Sequence, residues 1–291
     1  MKRIFLTLCI LAVLGVGIGL WITRPVTVDP ERFASLTGNA ESGETVYWAA
    51  GCASCHAGEN SQDKLTLPGG KRFASDFGTF IAPNISSDPT HGIGAWTLPQ
   101  FASAVLEGTS PDGAHYYPAF PYTTYGRMSD SDVADLFAFM QTLPADPSES
   151  EPHEVGFPFN IRLTLGGWKL LFLNKDYIAE APTPELERGR YLVEALGHCA
   201  ECHTPRNALG GWDVARWMDG APIPGDGKGK TPGITPAHLD WVASDIAYYL
   251  ETGFTPDFDS AGGEMAEVVI NTGKLSAEDR AAIAAYVKAL P

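Results

Sequence analysis

Cys52-Ala-Ser-Cys-His56 recurs further along the chain as Cys199-Ala-Glu-Cys-His203. Cys-x-x-Cys-His is the attachment sequence of a c-type haem. Its two thiols add to the porphyrin vinyl groups, and the adjoining histidine can bind the iron on one face. With 5 Cys and 7 His in 291 residues, one such pentapeptide would arise by chance in roughly one chain in five hundred. Two copies are not an accident. Zinc could use Cys-x-x-Cys twice, but it needs no His directly after each second Cys. A thioredoxin-like dithiol would sit beside a βαβ pattern, which the sequence lacks. The reading is two covalently bound haem c groups, on Cys52 and Cys55 and on Cys199 and Cys202, with His56 and His203 as iron ligands.

Working outward, each motif heads a longer unit. Ser129-Asp-Ser-Asp132 has the form of a capped helix start, and Val133, Leu136, Phe137 and Met140 follow at helical spacing before Leu143-Pro144. Ser276-Ala-Glu-Asp279 opens the same pattern, with Ile283, Tyr286, Val287 and Leu290, and Pro291 closes it. Cys52 and Cys199 are 147 positions apart, as are Ser129 and Ser276. Trp96 and Trp241 are 145 apart, as are Pro111-Asp112 and Pro256-Asp257. The chain is therefore read as two copies of one module.

Glu41 to Gly51 has helical composition, and a helix is predicted from Leu98 to Glu107, stopped by Gly108. Between His56 and Ser129 the residues are those of loops, with few strand signals. The expected fold is all-α: two tandem class I cytochrome c-like domains, 38–145 and 185–291. Val26 to Asn39 reads as a polar stalk, and 146–184 as a Pro-rich connector. That connector carries Phe157-Pro-Phe-Asn-Ile-Arg162 and Gly166-Gly-Trp-Lys-Leu-Leu-Phe172. The run is too short to span a bilayer and is expected to pack across the two domains.

Residues 1–25 read as a transmembrane anchor. Lys2 and Arg3 precede 19 uncharged residues, Ile4 to Ile22, about 28 Å of helix. No Ala-x-Ala-like cleavage site closes the run; a cleaved signal peptide is the alternative. Lys2 and Arg3 would stay cytoplasmic, sending the body to the periplasmic side of the inner membrane. Cys9, inside the run, reads as a small hydrophobe. The net charge of −15, from 35 acidic and 20 basic residues, argues against nucleic acid. It permits docking to a basic partner or serves solubility alone.

The sixth iron ligand separates a carrier from a catalyst, because a thioether there closes the coordination shell. Of five Met, Met1 is the start and Met140 lies on an apolar helix stripe. Met218 is only 15 residues beyond His203. Met128, in the loop before the capped helix, and Met265, after Gly262-Gly263, are the candidates. His115, in Asp112-Gly-Ala-His-Tyr-Tyr117, is the alternative in the first module.

Beyond the two pentapeptides, several stretches carry a family resemblance. They are Phe77-Gly-Thr-Phe-Ile-Ala-Pro-Asn-Ile85, Gly92-Ile-Gly-Ala-Trp96, Ser110-Pro-Asp-Gly-Ala-His-Tyr-Tyr-Pro-Ala-Phe-Pro-Tyr122, Gly189-Arg-Tyr191, Cys202-His-Thr-Pro-Arg-Asn207 and Gly262-Gly-Glu-Met265. They resemble the cytochrome c subunits of membrane-bound quinoprotein alcohol and gluconate dehydrogenases and of periplasmic molybdenum-hydroxylase aldehyde dehydrogenases. The resemblance implies electron transfer, with no catalytic residues, from a periplasmic or membrane dehydrogenase to a cytochrome or terminal oxidase of the respiratory chain. Two departures stand out. Those subunits commonly carry three haem modules, and this sequence holds two motifs. Many also read Pro-Ala-Met-Pro-Tyr where this chain has Phe120. The competing reading is a dihaem enzyme, peroxidase-like or thiosulfate-oxidising, with one open or labile iron.

Overall fold

The computed structural model describes residues 2–59, 61–224 and 229–291. Helix α1 (Lys2–Ile22) buries none of its residues. Asn39 opens α2 (Ala40–Ala49) by accepting bonds from the Glu41 and Ser42 amides. Gly51, at φ 64°, turns the chain into the short helix α3 (Cys52–His56). The strands β1 (Arg72–Ser75) and β2 (Gly78–Ile81) follow, then α4 (Leu98–Glu107), α5 (Tyr122–Tyr125) and α6 (Asp130–Met140). The connector holds β3 (Glu154–Val155) and α7 (Thr164–Phe172). The second half begins with α8 (Pro184–Tyr191), which runs into a π-helical turn, Leu192–Leu196, and then α9 (Ala200–His203). After β4 (Gly220–Pro222) and β5 (Lys230–Pro232) come α10 (Ala243–Thr252), α11 (Glu264–Thr272) and α12 (Ala277–Ala289).

The helix ends follow from local chemistry. The Ser129 and Ser276 side chains accept from the Asp132 and Asp279 amides at 3.1 and 3.0 Å, each cap being worth about 1 kcal/mol. Thr97 and Gln100 form a reciprocal capping box at the start of α4, and Gly108 ends that helix in the left-handed conformation.

Two helix crossings organise the core. Helix α2 packs on α6, and α8 packs on α12. At each crossing a glycine lets backbones touch. A Cβ on Gly43 would lie 2.0 Å from the Asp135 carbonyl oxygen, and one on Gly189 would lie 2.1 Å from that of Ala282. Asp135 and Ala282 are 147 positions apart, while Gly43 and Gly189 are 146 apart. The π-helical turn adds the missing residue before Cys199. Around the crossings the same kinds of side chain are buried: Val46, Tyr47, Val133, Leu136 and Met140 in one half, Leu192, Leu196, Ile283, Tyr286 and Val287 in the other.

The fold is mostly helical, but the all-α expectation needs correction. Strands β1, β2 and β3 form an antiparallel sheet, and β4 and β5 a second one. The strands are too short for an alternating pattern to show in the sequence. The first hairpin turns at Asp76 and Phe77, and Gly78, which opens β2, has φ 128°, a conformation that favours glycine. The stalk also differs from expectation. Val28 and Phe33 are buried, the Val28 amide donates to Ser103 Oγ at 3.1 Å, and Arg32 pairs with Asp130. Those two apolar side chains bind the segment to the first half.

Candidate haem sites

The hairpins explain how each motif histidine is held. Two residues beyond β2, the Pro83 carbonyl oxygen lies 2.8 Å from His56 Nδ1. Pro232, the last residue of β5, offers its carbonyl to His203 Nδ1 at 2.7 Å. A carbonyl only accepts, so Nδ1 carries the proton in both rings and Nε2 keeps its lone pair. Burial lowers the pKa of both histidines against the pull of those bonds, which keeps the rings neutral. A neutral, oriented imidazole with a free Nε2 is what a metal takes.

The cysteines are also suited to attachment. Cys52, Cys55, Cys199 and Cys202 are free thiols, at the two ends of one helical turn in each motif. Burial pushes Cys52 and Cys199 up to about 12 and Cys55 up to about 11. The same burial raises Cys202, and a raised pKa disfavours the thiolate on which dithiol exchange depends. In the second half the indole nitrogens of Trp212 and Trp217 are buried without a hydrogen-bond partner among the described residues. Their rings meet edge-on at 5.5 Å. Two such donors suit a group that brings carboxylates, as haem does. Donor set, ring orientation and orphaned donors all fit haem.

Comparison with known proteins agrees. The cytochrome c family matches residues 40–144, and a dihaem c-type cytochrome of Cereibacter sphaeroides is 59% identical over 276 residues, 94% of this chain and 93% of that protein.

This chain belongs to the cytochrome c family.

The cytochrome is also similar to longer proteins. The fructose dehydrogenase cytochrome subunit of Gluconobacter japonicus is 37% identical over 92% of this chain and 56% of its own length. The cytochrome c subunit of the quinone alcohol dehydrogenase of Gluconobacter oxydans is 34% identical over 86% and 54%. The chain thus spans about half of those dehydrogenase subunits. These relatives are electron-transfer proteins rather than catalytic subunits, and so is this cytochrome.

The candidate sixth ligands occupy different structural positions in the two halves. Met128 is buried immediately before the Ser129 cap, and Leu275 is buried immediately before the Ser276 cap. Met265 lies in the first turn of α11, 145 positions after Phe120. Met218 has a structural counterpart instead. Its carbonyl accepts from the Ile234 amide at 2.9 Å, as that of Leu67 does from Ile85 at 3.1 Å, and both side chains are fully buried. Met218 is core.

Other histidines are committed elsewhere. His115 Nε2 donates to the Thr23 carbonyl at 3.0 Å, His153 Nδ1 accepts from the Ile81 amide at 3.1 Å, and His238 Nδ1 pairs with Thr235 Oγ1 at 2.9 Å. His198 stands where Gly51 stands in the first motif, directly before the first cysteine, and shares its positive φ, 39°. Its ring lies edge-on to Tyr125 at 5.8 Å, and a Cβ on Gly51 would sit 3.5 Å from its Nε2, so it lies between the two motifs.

Sequence reasoning missed the two proline carbonyls. They follow the motif histidines by similar intervals, 27 and 29 residues, a signal that aligning the repeats would reveal. It also missed the polar contacts that join the two halves and the connector. Thr123 donates to Glu201 at 3.0 Å, and Arg127 donates to the carbonyls of Thr123, Asn174 and Asp176. The buried Glu194 carboxylate accepts from the Ile178 and Ala179 amides and from Tyr286. No periodicity announces such contacts.

Proposed function

We propose that this cytochrome is a membrane-anchored, periplasmic dihaem electron carrier, taking electrons from a dehydrogenase and passing them to a respiratory acceptor. It would comprise two tandem class I-like domains. Cys52 and Cys55 would hold one haem covalently, and Cys199 and Cys202 the other. His56 and His203 would bind iron on one face, Met128 and Met265 on the other. Bound haem supplies a one-electron couple whose potential the axial ligand and burial set.

The observation that carries this reading is the matched pair of histidine–proline contacts, His56 to Pro83 and His203 to Pro232. They recur in both halves of a chain whose motif is otherwise only a sequence pattern. The polypeptide's part is to orient two neutral imidazoles and to bury the thiols and rings around them. Helix α1, 21 residues of mean hydropathy 2.5 in its apolar window, supports the anchor. The names of the relatives, cytochrome subunits of fructose, alcohol and gluconate dehydrogenases, support a dehydrogenase donor.

The test uses purified full-length protein. A pyridine haemochrome assay should give two haems per chain. Membranes oxidising sugars, alcohols or aldehydes should reduce both haems in stopped flow before oxygen is consumed. One haem per chain, or rapid turnover of peroxide or thiosulfate by the protein alone, would overturn the reading.

A further inference from the structure

We propose that Phe157 to Leu171 forms a second membrane contact, lying in the boundary between phospholipid headgroups and acyl chains beside the exit of α1. The proposal rests on the reading of α1 as a membrane anchor.

The end of α1 is fixed against the inner face of α7. A Cβ on Gly166 would fall 1.9 Å from the Thr23 carbonyl oxygen, and His115 donates to that same carbonyl. The contact sets which way α7 faces. Leu165 and Gly166 are buried, Lys169 Nζ donates to the Glu107 and Gly108 carbonyls at 2.6 and 2.7 Å, and Trp168 Nε1 donates to Leu209 O at 2.8 Å. This inner face bridges both halves of the chain. Leu163, Leu170 and Leu171, at positions i, i+7 and i+8, form the opposite face and are exposed, Leu171 at 69%. Phe157, Phe159 and Ile161 extend that apolar surface, with Phe157 81% exposed. A cluster of large apolar side chains left in water marks an interaction surface.

Charge selects the occupant. In a chain of net charge −15, residues 157–175 contain no Asp or Glu; of their basic residues Lys169 faces inward and Lys175 pairs with Glu107, which leaves Arg162. Arg24 stands at the end of α1, its guanidinium 4.8 Å from the Trp21 ring. Apolar side chains on one face, basic residues nearby and a length too short to cross the bilayer describe a segment that lies on an anionic phospholipid surface. Continuity with the α1 exit places that surface within reach.

The experiment uses full-length holoprotein with Cys9→Ser and one nitroxide-labelled cysteine. The label sites are Leu171→Cys, Phe157→Cys, Leu11→Cys on α1, and Phe258→Cys, a 95% exposed control. In vesicles of phosphatidylcholine and phosphatidylglycerol, power saturation compares accessibility to oxygen and to a water-soluble nickel chelate. Labels at 171 and 157 should show an oxygen-to-nickel ratio several-fold above that at 258. Nickel-accessible labels at 171 and 157, with the label at 11 in lipid, would overturn this proposal and leave the anchor standing. A nickel-accessible label at 11 would overturn the anchor, and the proposal with it. Labels at 171 and 157 shielded from both reagents would mean that protein covers the face, and would also overturn it.

Discussion

Asn271, on α11, donates from Nδ2 to Ser54 Oγ at 2.6 Å, joining a late helix of the second half to the first Cys-x-x-Cys-His turn. Two ion pairs flank the bond, Lys71–Glu264 at 2.6 Å and Lys64–Glu267 at 2.8 Å, and Lys71 Nζ also donates to the Ser54 carbonyl at 3.0 Å. The helix that carries Met265 is therefore clamped onto the first motif. Asn271 is buried, so Asn271→Leu should lower stability by about 1–2 kcal/mol in denaturant titrations followed by circular dichroism. Lys64→Met should cost less than about 1 kcal/mol, because its ion pair is partly solvated. Equal effects from the two variants would refute this ranking.

The helix crossings make a sharper stability prediction. Gly43→Ala and Gly189→Ala each force a Cβ onto a carbonyl oxygen of the partner helix. Each should destabilise by about 3 kcal/mol. Gly167, inside α7, has nothing among the described residues within 4 Å of its Cβ position, so Gly167→Ala should stabilise by up to about 1 kcal/mol. Thermal melts of the three variants suffice, and a neutral Gly43→Ala would mean that the crossing is looser than described.

These crossings also mark the limit of what the sequence discloses. Capping serines and helical stripes are local signals, so α4 and α12 fall where Leu98, Gly108 and Ser276 put them. The motif cysteines and histidines are legible because the Cys-x-x-Cys-His pattern is contiguous in sequence. The histidine-orienting carbonyls of Pro83 and Pro232 are backbone atoms, which carry no residue-type signature. The burial of Val28 and Phe33 arises from tertiary packing, which composition alone reads as a stalk. The outer face of α7 is visible as apolar in sequence, but only the Thr23–Gly166 approach shows that α7 lies against the end of α1.

His115 should contribute acid sensitivity. Burial, reinforced by the charge of Lys169 and opposed by the bond to Thr23, lowers its pKa below the usual 6.5. The unfolded chain then binds more protons than the folded one as pH falls below 6.5. The neutral ring's contribution is thus complete above pH 6.5 and is lost progressively toward the lowered folded value. His115→Gln retains a donor for the Thr23 carbonyl but cannot titrate in this range. Its melting temperature should fall less steeply than that of the parent between pH 7 and 5. Parallel curves would assign the acid sensitivity to other groups, such as His153, whose pKa burial also lowers.

The methionines proposed as axial ligands carry the remaining prediction. Oxidised protein should show a far-red sulfur-to-iron charge-transfer band, a property of thioether ligation. Met265→Ala should remove part of that band and lower one of two potentials in a redox titration. Met218→Leu should change neither, since Met218 holds a core position equivalent to Leu67. Met128→Ala is the more incisive variant, because Met128 stands where the second half has Leu275 and the counterpart of Met265 is Phe120. If Met128 is a ligand, the first half has moved its sulfur eight residues along the chain, from position 120 to 128, and the variant should remove the rest of the band and lower the other potential. If the band survives Met128→Ala unchanged, the first iron lacks that thioether. Ligand binding and peroxide reactivity at that haem would then decide between a carrier and a catalyst.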